Sequence, residues 1–371
     1  MIYFDHNAST PLDERVLDAM LPFLTSFYGN PSSLYRQGRL ARSAVDTARE
    51  QLATLIDCTP SQVVFTSGGT EANNLALSSL PPQGRIAIST TEHPSVVDMA
   101  ERLAFNGATL CTIEVDTCGI IESTSIDNIL KSKASPNLIS IMIANNETGV
   151  IQDIKKITNS TQSNNLIFHT DAVQAVGKIP LSFRDLGVDL MTVSSHKIYG
   201  PKGCGALISR DTISLHPILL GGNQEKNLRP GTENVAAIVG FGKAAELAKT
   251  ELTQRHEYLS SLKLILEAEL LKIPTLTIFA QQASRLPNTT QFGIDGLDGE
   301  MLLMNLDLKG IAVSSGSACA SGSNEISPVL KAMGVDPILA KSAIRISLGM
   351  NNTLEQILKF VDQLKTIINP R

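Results

Sequence analysis

Between roughly residues 60 and 210 the chain alternates short apolar runs with amphipathic stretches. The runs at 63–66, 85–89, 110–115, 138–144, 166–169, 190–194 and 205–209 are β-branched and apolar on both faces. Strands covered by helices on two sides read this way, whereas strands with one wet face alternate. Helical patterns fall between several of the runs, including one at 71–80 that follows a Gly-rich turn. Strand–helix alternation predicts an α/β fold around a mostly parallel sheet.

After Gly231 the texture changes. Residues 235–271 are mostly helical in pattern, and Leu259, Leu262, Ile265, Leu266 and Leu270 make one apolar stripe. Short strands are predicted at 276–279, 289–293, 311–314 and 343–347, then a final amphipathic helix at 354–368. This reads as a smaller α+β domain, with the boundary inside the long helical stretch near 250–258.

A chain of 371 residues, 43% hydrophobic, is long enough for two such domains. The net charge of -5 comes without any basic block, so nucleic acid is not an expected partner. No basic-then-apolar leader opens the chain and no apolar run could span a bilayer, so a soluble, cytoplasmic protein is expected. The five cysteines include no Cys-x-x-Cys pair, which argues against a zinc ribbon or a thioredoxin-type motif, and no metal is expected. Cys58, Cys111, Cys118 and Cys204 lie in apolar or ordinary strand-and-turn contexts and are expected to be buried small hydrophobes.

Candidate chemistry gathers where the apolar runs end. Lys197, in Ser194-Ser195-His196-Lys197-Ile198-Tyr199-Gly200-Pro201, follows one strand and enters a tight turn. An amine there can react with a carbonyl, of a substrate or of pyridoxal phosphate. Ser67-Gly68-Gly69-Thr70-Glu71-Ala72-Asn73-Asn74 links another strand to a helix, where free N–H groups and the helix dipole suit a phosphate. Asp171 comes just after the run at 166–169 and could hold a pyridinium nitrogen protonated, or simply cap a helix. Thr91-Glu92-His93-Pro94 and Asn145-Asn146-Glu147-Thr148-Gly149 follow two more strands. Cys319 stands apart, in Ser314-Ser315-Gly316-Ser317-Ala318-Cys319-Ala320-Ser321-Gly322-Ser323. That segment offers little to bury, which favours a mobile loop with a reactive thiol.

In this order the motifs resemble the cysteine desulfurases of the NifS/IscS type, pyridoxal phosphate enzymes of the class V aminotransferase group. The likeness also takes in Gly29-Asn30-Pro31-Ser32-Ser33, Arg229-Pro230-Gly231-Thr232 and Arg345-Ile346-Ser347-Leu348-Gly349. It implies the aspartate-aminotransferase fold (fold type I), with a large cofactor-binding domain at 12–255 and a small α+β domain formed by 1–11 and 256–371. Lys197 would carry pyridoxal 5'-phosphate. Gly69, Thr70, Ser194 and His196 would hold its phosphate, with Thr232 reaching in from the second subunit of a homodimer. Asp171 would pair with the ring nitrogen, Gln174 with the ring hydroxyl, and His93 would stack on the ring and move protons. Asn146 would contact cofactor and substrate, and Arg345, with Asn30 nearby, would bind the carboxylate of L-cysteine. Cys319 would take the sulfur as a persulfide, alanine would leave, and a sulfur-acceptor protein such as an iron-sulfur scaffold would receive it. The resemblance has departures: Tyr35 replaces a usual histidine, Lys226 a usual arginine and Pro230 a small residue. The chain also ends at Arg371, without the longer tail of housekeeping members. Rival readings are a selenocysteine or cystine lyase on the same fold, and a catalytically weak sulfur-transfer binding module.

Overall fold

The computed structural model describes residues 1–131, 135–161, 166–315 and 326–368. The chain opens with β1 (Ile2–Tyr3), α1 (Glu14–Thr25) and α2 (Arg36–Ile56). A seven-stranded sheet follows: β2 (Val63–Thr66), β3 (Arg85–Ser89), β4 (Thr109–Ile113), β5 (Leu138–Ser140), β6 (Ile167–Asp171), β7 (Leu190–Ser194) and β8 (Gly205–Ser209). Its spatial order is β2-β8-β7-β6-β5-β3-β4. Every pair is parallel except those made by β8, which runs against both β7 and β2. The connection at 195–204 is too short for a crossover helix, so β7 must return as a hairpin.

Adjacent residues of one strand enter opposite cores. Val63, Phe65, Met191 and Val193 join a cluster with Val45, Leu52 and Phe241, from α2 and α8 (Val235–Thr250). Val64, Leu190 and Leu207 join another with Ala72, Leu75 and Val96, from α3 (Gly69–Leu77) and α4 (Pro94–Phe105). Both faces of the sheet are therefore dry, as the unbroken apolar runs predict.

The predicted strand at 138–144 is shorter as a ladder. β5 ends at Ser140, but the Ile141 and Ile143 N–H groups still donate to the His169 and Asp171 carbonyls. The expected helical stretch at 235–271 is two helices, α8 and α9 (Leu252–Leu270), broken at Glu251 (φ -102°, ψ 6°). The Glu251 carboxylate there takes Arg15 from α1 and Arg255 from α9. A smaller antiparallel sheet follows, ordered β12-β10-β9, from β9 (Leu276–Ile278), β10 (Thr289–Ile294) and β12 (Ile344–Ser347). β1 pairs in parallel with β11 (Ile311–Ala312). Phe4, Leu259, Leu266, Phe292 and Phe360 share the core beneath them, closed by α13 (Leu354–Ile368). Val329, Leu330 and Ala340 instead bury in the core of the large sheet.

One expectation about the cysteines is corrected. Cys204 is buried, but Cys58, Cys111 and Cys118 are only half-buried. Cys111 lies on edge strand β4, Cys118 in a turn, and Cys58 just past the end of α2. Cys319 lies outside the described residues.

Candidate active site

A cavity of about 890 Å³ opens at the C-terminal ends of the parallel strands. Gly69, Thr70, Glu92, His93, Asn146, Asp171, Gln174, Ser194, His196, Lys197 and Arg345 all line it. The sheet explains the convergence: loops leaving the same end of parallel strands share one crevice.

At one side the cavity is built to receive an anion. Helix α3 starts at Gly69 behind Gly68, and no side chain caps its first turn. The Ser194 hydroxyl is buried and has no partner among the described residues. A Cβ added to Gly69 would meet Val173 Cγ2 at 3.1 Å and Ser194 Cβ at 3.7 Å, so glycine keeps this space open. His196 stands beside it, its Nδ1 3.2 Å from Ser9 Oγ. Burial, and then the positive charges of Lys197 and Lys202, lower its pKa to about 4.

Asp171 projects from the end of β6 and is 6% exposed. Its Oδ1 accepts from the Val173 N–H (2.9 Å) and its Oδ2 from Asn73 Nδ2 (2.8 Å). The same Asn73 Nδ2 donates to Ser95 Oγ (2.8 Å), which lies 2.8 Å from His93 Nδ1. The Ser95 backbone N–H also donates to His93 Nδ1. A backbone N–H cannot accept, so Nδ1 is the acceptor and the neutral ring carries its proton on Nε2. Burial lowers the His93 pKa; Asp171 opposes that shift and Lys197 adds to it. Asn73 and Ser95 were not singled out in the sequence, although Asn73 lies inside the Gly-Gly motif.

The Lys197 amine donates to the carbonyls of Asn7 and Ala8, the latter at 2.8 Å. Arg345, in the middle of β12, is 1% exposed. It donates to Asp5 Oδ1 (2.6 Å) and to the Asn146 carbonyl (2.9 Å). Gln174 Nε2 donates to the Asn7 carbonyl (2.9 Å).

Two expected residues are not brought here. Asn30 and Thr232 are exposed and do not line the cavity of their own chain. A second cleft, of about 880 Å³, lies by Glu225 and Lys226. Glu225, Lys226 and Asn227 take positive φ in succession (45°, 60°, 66°). The buried Glu225 carboxylate holds that turn, accepting from Arg49 and from the Phe65 N–H. Among the described residues, none of those expected to do chemistry lines this cleft.

The family model for class V aminotransferases matches residues 2–360. A cysteine desulfurase IscS of Dictyoglomus turgidum is 42% identical, over 99% of this chain and 94% of its own. A cysteine desulfurase of Nostoc sp. is 41% identical, over 99% of this chain and 93% of its own. Among solved structures, a NifS-like protein from Rickettsia africae superposes with a TM-score of 0.91 at 38% identity, covering 99% of both chains. A structure described as SspA in complex with cysteine has a TM-score of 0.82 at 30% identity, covering 94% of this chain and 99% of that one. With an anion cradle, an acid and a lysine at the ends of one sheet and a family match along nearly its whole length, the chain belongs to the class V aminotransferases, in their cysteine desulfurase branch.

Proposed function

We propose that the protein is a pyridoxal phosphate-dependent cysteine desulfurase that converts L-cysteine to L-alanine and passes the sulfur on through a persulfide at Cys319. The observation that carries this reading is the meeting of Lys197, Asp171, His93, the uncapped start of α3 and Arg345 in one cavity. A relative whose structure is described as a complex with cysteine supports the substrate.

The cofactor fits the residues present. The N–H groups at the start of α3, the buried Ser194 hydroxyl and the space kept by Gly69 suit a phosphate. When bound, pyridoxal phosphate supplies an electron sink for charge developing at the substrate α-carbon. Lys197 would hold it, and Asp171, fixed by Asn73 and Val173, would offer its carboxylate to the ring nitrogen. His93, held at Nδ1 by Ser95 in the cavity wall, would use Nε2 to deliver or receive a proton. Arg345 is placed to attract a substrate carboxylate, its guanidinium steadied by Asp5 and Asn146.

The sulfur step balances without a further reagent: the Cβ–S bond breaks, Cβ gains a proton, and the sulfur bonds to the Cys319 thiolate. The thiols of Cys58 and Cys204 are poor alternatives, since burial pushes both up to about 12. The proposal extends to a division at 12–255 against 1–11 with 256–371, a homodimer in the cytoplasm, and a sulfur-acceptor protein such as an iron-sulfur scaffold. The exposed Thr232, away from its own cavity, supports the homodimer. Among the described residues no helix is long and apolar enough to cross a membrane.

The test is to incubate purified protein with L-cysteine and measure alanine and cyanolysable sulfur. Wild type should form both, and Cys319→Ser should bind cofactor and cysteine but release no sulfur. Normal turnover by Cys319→Ser would rule out its place in the reaction.

A further inference from the structure

A second buried amine lies behind Lys197. Lys178 is 7% exposed, and its Nζ donates to Asn7 Oδ1 (2.9 Å) and to Gln174 Oε1 (2.7 Å). Asn7 is 1% exposed and every polar group it has is engaged. Its Oδ1 also accepts from Asn288 Nδ2 (3.1 Å). Its Nδ2 donates to the Asn146 carbonyl (3.1 Å) and Thr289 Oγ1 (2.9 Å), and its backbone N–H donates to Ser347 Oγ (2.9 Å). Its backbone carbonyl accepts from both Lys197 Nζ and Gln174 Nε2.

An amide side chain has two ends of nearly equal shape, and its neighbours decide which end points where. A lysine amine between two amides acts as the donor, so both oxygens must face it. That turns the Asn7 nitrogen toward Asn146 and the Gln174 nitrogen toward the Asn7 carbonyl, the same carbonyl on which the Lys197 amine rests. We propose that Lys178 is a positioning residue for Lys197, fixing both amides and through them the Asn7 and Ala8 carbonyls that hold the reactive amine. This rests on Lys197 being the amine that takes the cofactor.

The surroundings fit that role. Burial, and then the positive charges of Lys197 and Arg345, hold the Lys178 pKa well below the ordinary lysine range. The site provides two amide oxygens for the amine's N–H groups.

The experiment uses full-length apoprotein and two probes. Pyridoxal 5'-phosphate can react with Lys197. Pyridoxine 5'-phosphate lacks the aldehyde and can only occupy the cradle. Lys178→Met should bind pyridoxine 5'-phosphate within about twofold of wild type but take up pyridoxal 5'-phosphate about tenfold more slowly, the scale of a lost pair of buried hydrogen bonds. Lys178→Gln restores an N–H donor and should recover part of the rate. If Lys178→Met does not fold, Lys178→Gln carries the comparison, with a smaller selective loss expected. Uptake of pyridoxal 5'-phosphate at the wild-type rate overturns the proposal. So does an equal loss for both probes, which would show a purely structural lysine. A wild-type protein that binds pyridoxine 5'-phosphate but never reacts with pyridoxal 5'-phosphate overturns the reading of Lys197 itself, and this proposal with it.

Discussion

Strands β7 and β12 each bring a cation to the same cavity, in opposite ways. In β7 the residues from Leu190 to Ser194 are all buried, and the reactive amine comes only after the strand ends. In β12 the cation is inside the strand: Arg345 is paired with Gln291 of β10, and both are buried. A residue past the end of a strand uses the rigidity of the sheet without belonging to its ladder. A residue within the strand belongs to ladder, core and site together. Chemistry and folding should therefore come apart at Lys197 and stay joined at Arg345.

The largest effect should follow from Lys197→Ala. Alanine formation and the cofactor's lysine-linked absorbance should both vanish, while stability changes by less than about 1 kcal/mol. A large fall in Tm would break the comparison. Asp171→Asn, at the end of β6, is next. The amide's single oxygen can still accept from the Val173 N–H but no longer offers a second acceptor to Asn73; cofactor should still be retained through the phosphate cradle while kcat falls roughly 10²- to 10³-fold. A near-normal rate would reduce Asp171 to a cap.

Arg345→Met should disturb both properties at once. It removes the partner of Asp5, whose side chain is 20% exposed. The expected cost is about 2 kcal/mol, at or below the low end for a broken buried pair because Asp5 keeps some water. The KM for cysteine should rise about tenfold, as one charge-assisted contact is lost. Binding lost without any change in unfolding would mean that position in the strand does not matter.

A last expectation is a pH dependence of stability. His169 is fully buried between Ser140 and Thr192, and burial lowers its pKa to about 3. His6 and His196 are lowered to about 4, mainly by burial. An unfolded histidine titrates near 6.5, so on acidification the unfolded chain takes up protons first. Stability should be level above that value and decline as pH falls from about 6.5 toward 4. Calorimetry at pH 7.5, 6 and 5 reads this; a constant Tm across the three would contradict it.

Much of this was legible in the sequence for a local reason. β2, β3, β7, β8 and α13 keep their predicted bounds because their apolar patterns are sharply delimited. Lys197, Asp171, His93 and Gly69 stood out because strand ends concentrate ligand-facing groups. What stayed hidden depends on distant partners. Asn7 and Lys178 are 171 positions apart, and neither sits in a motif that announces the other. Thr289, Thr290 and Gln291 are polar, yet β10 is buried throughout. Thr290 is matched there by Glu267, and Thr289 by Asn7 and Asn288. The break at Glu251 has no glycine or proline to signal it, and Arg15 reaches it from another helix.

The reversed strand β8 also bears on how the site comes together in time. β7 and β8 are joined by the connection at 195–204, so closing that hairpin costs little chain entropy. β8 must then find β2, well over a hundred residues earlier in the chain, before the start of α3 lies against the rest of the sheet. Short-range pairings form ahead of long-range ones. The lysine, with Ser194 and His196, should thus be framed before the start of α3 joins them, and pulse-labelled hydrogen exchange should protect Leu190–Ser194 before Val63–Thr66. A cofactor arriving during synthesis would meet an amine whose cradle lacks the start of α3 until β2 docks on β8.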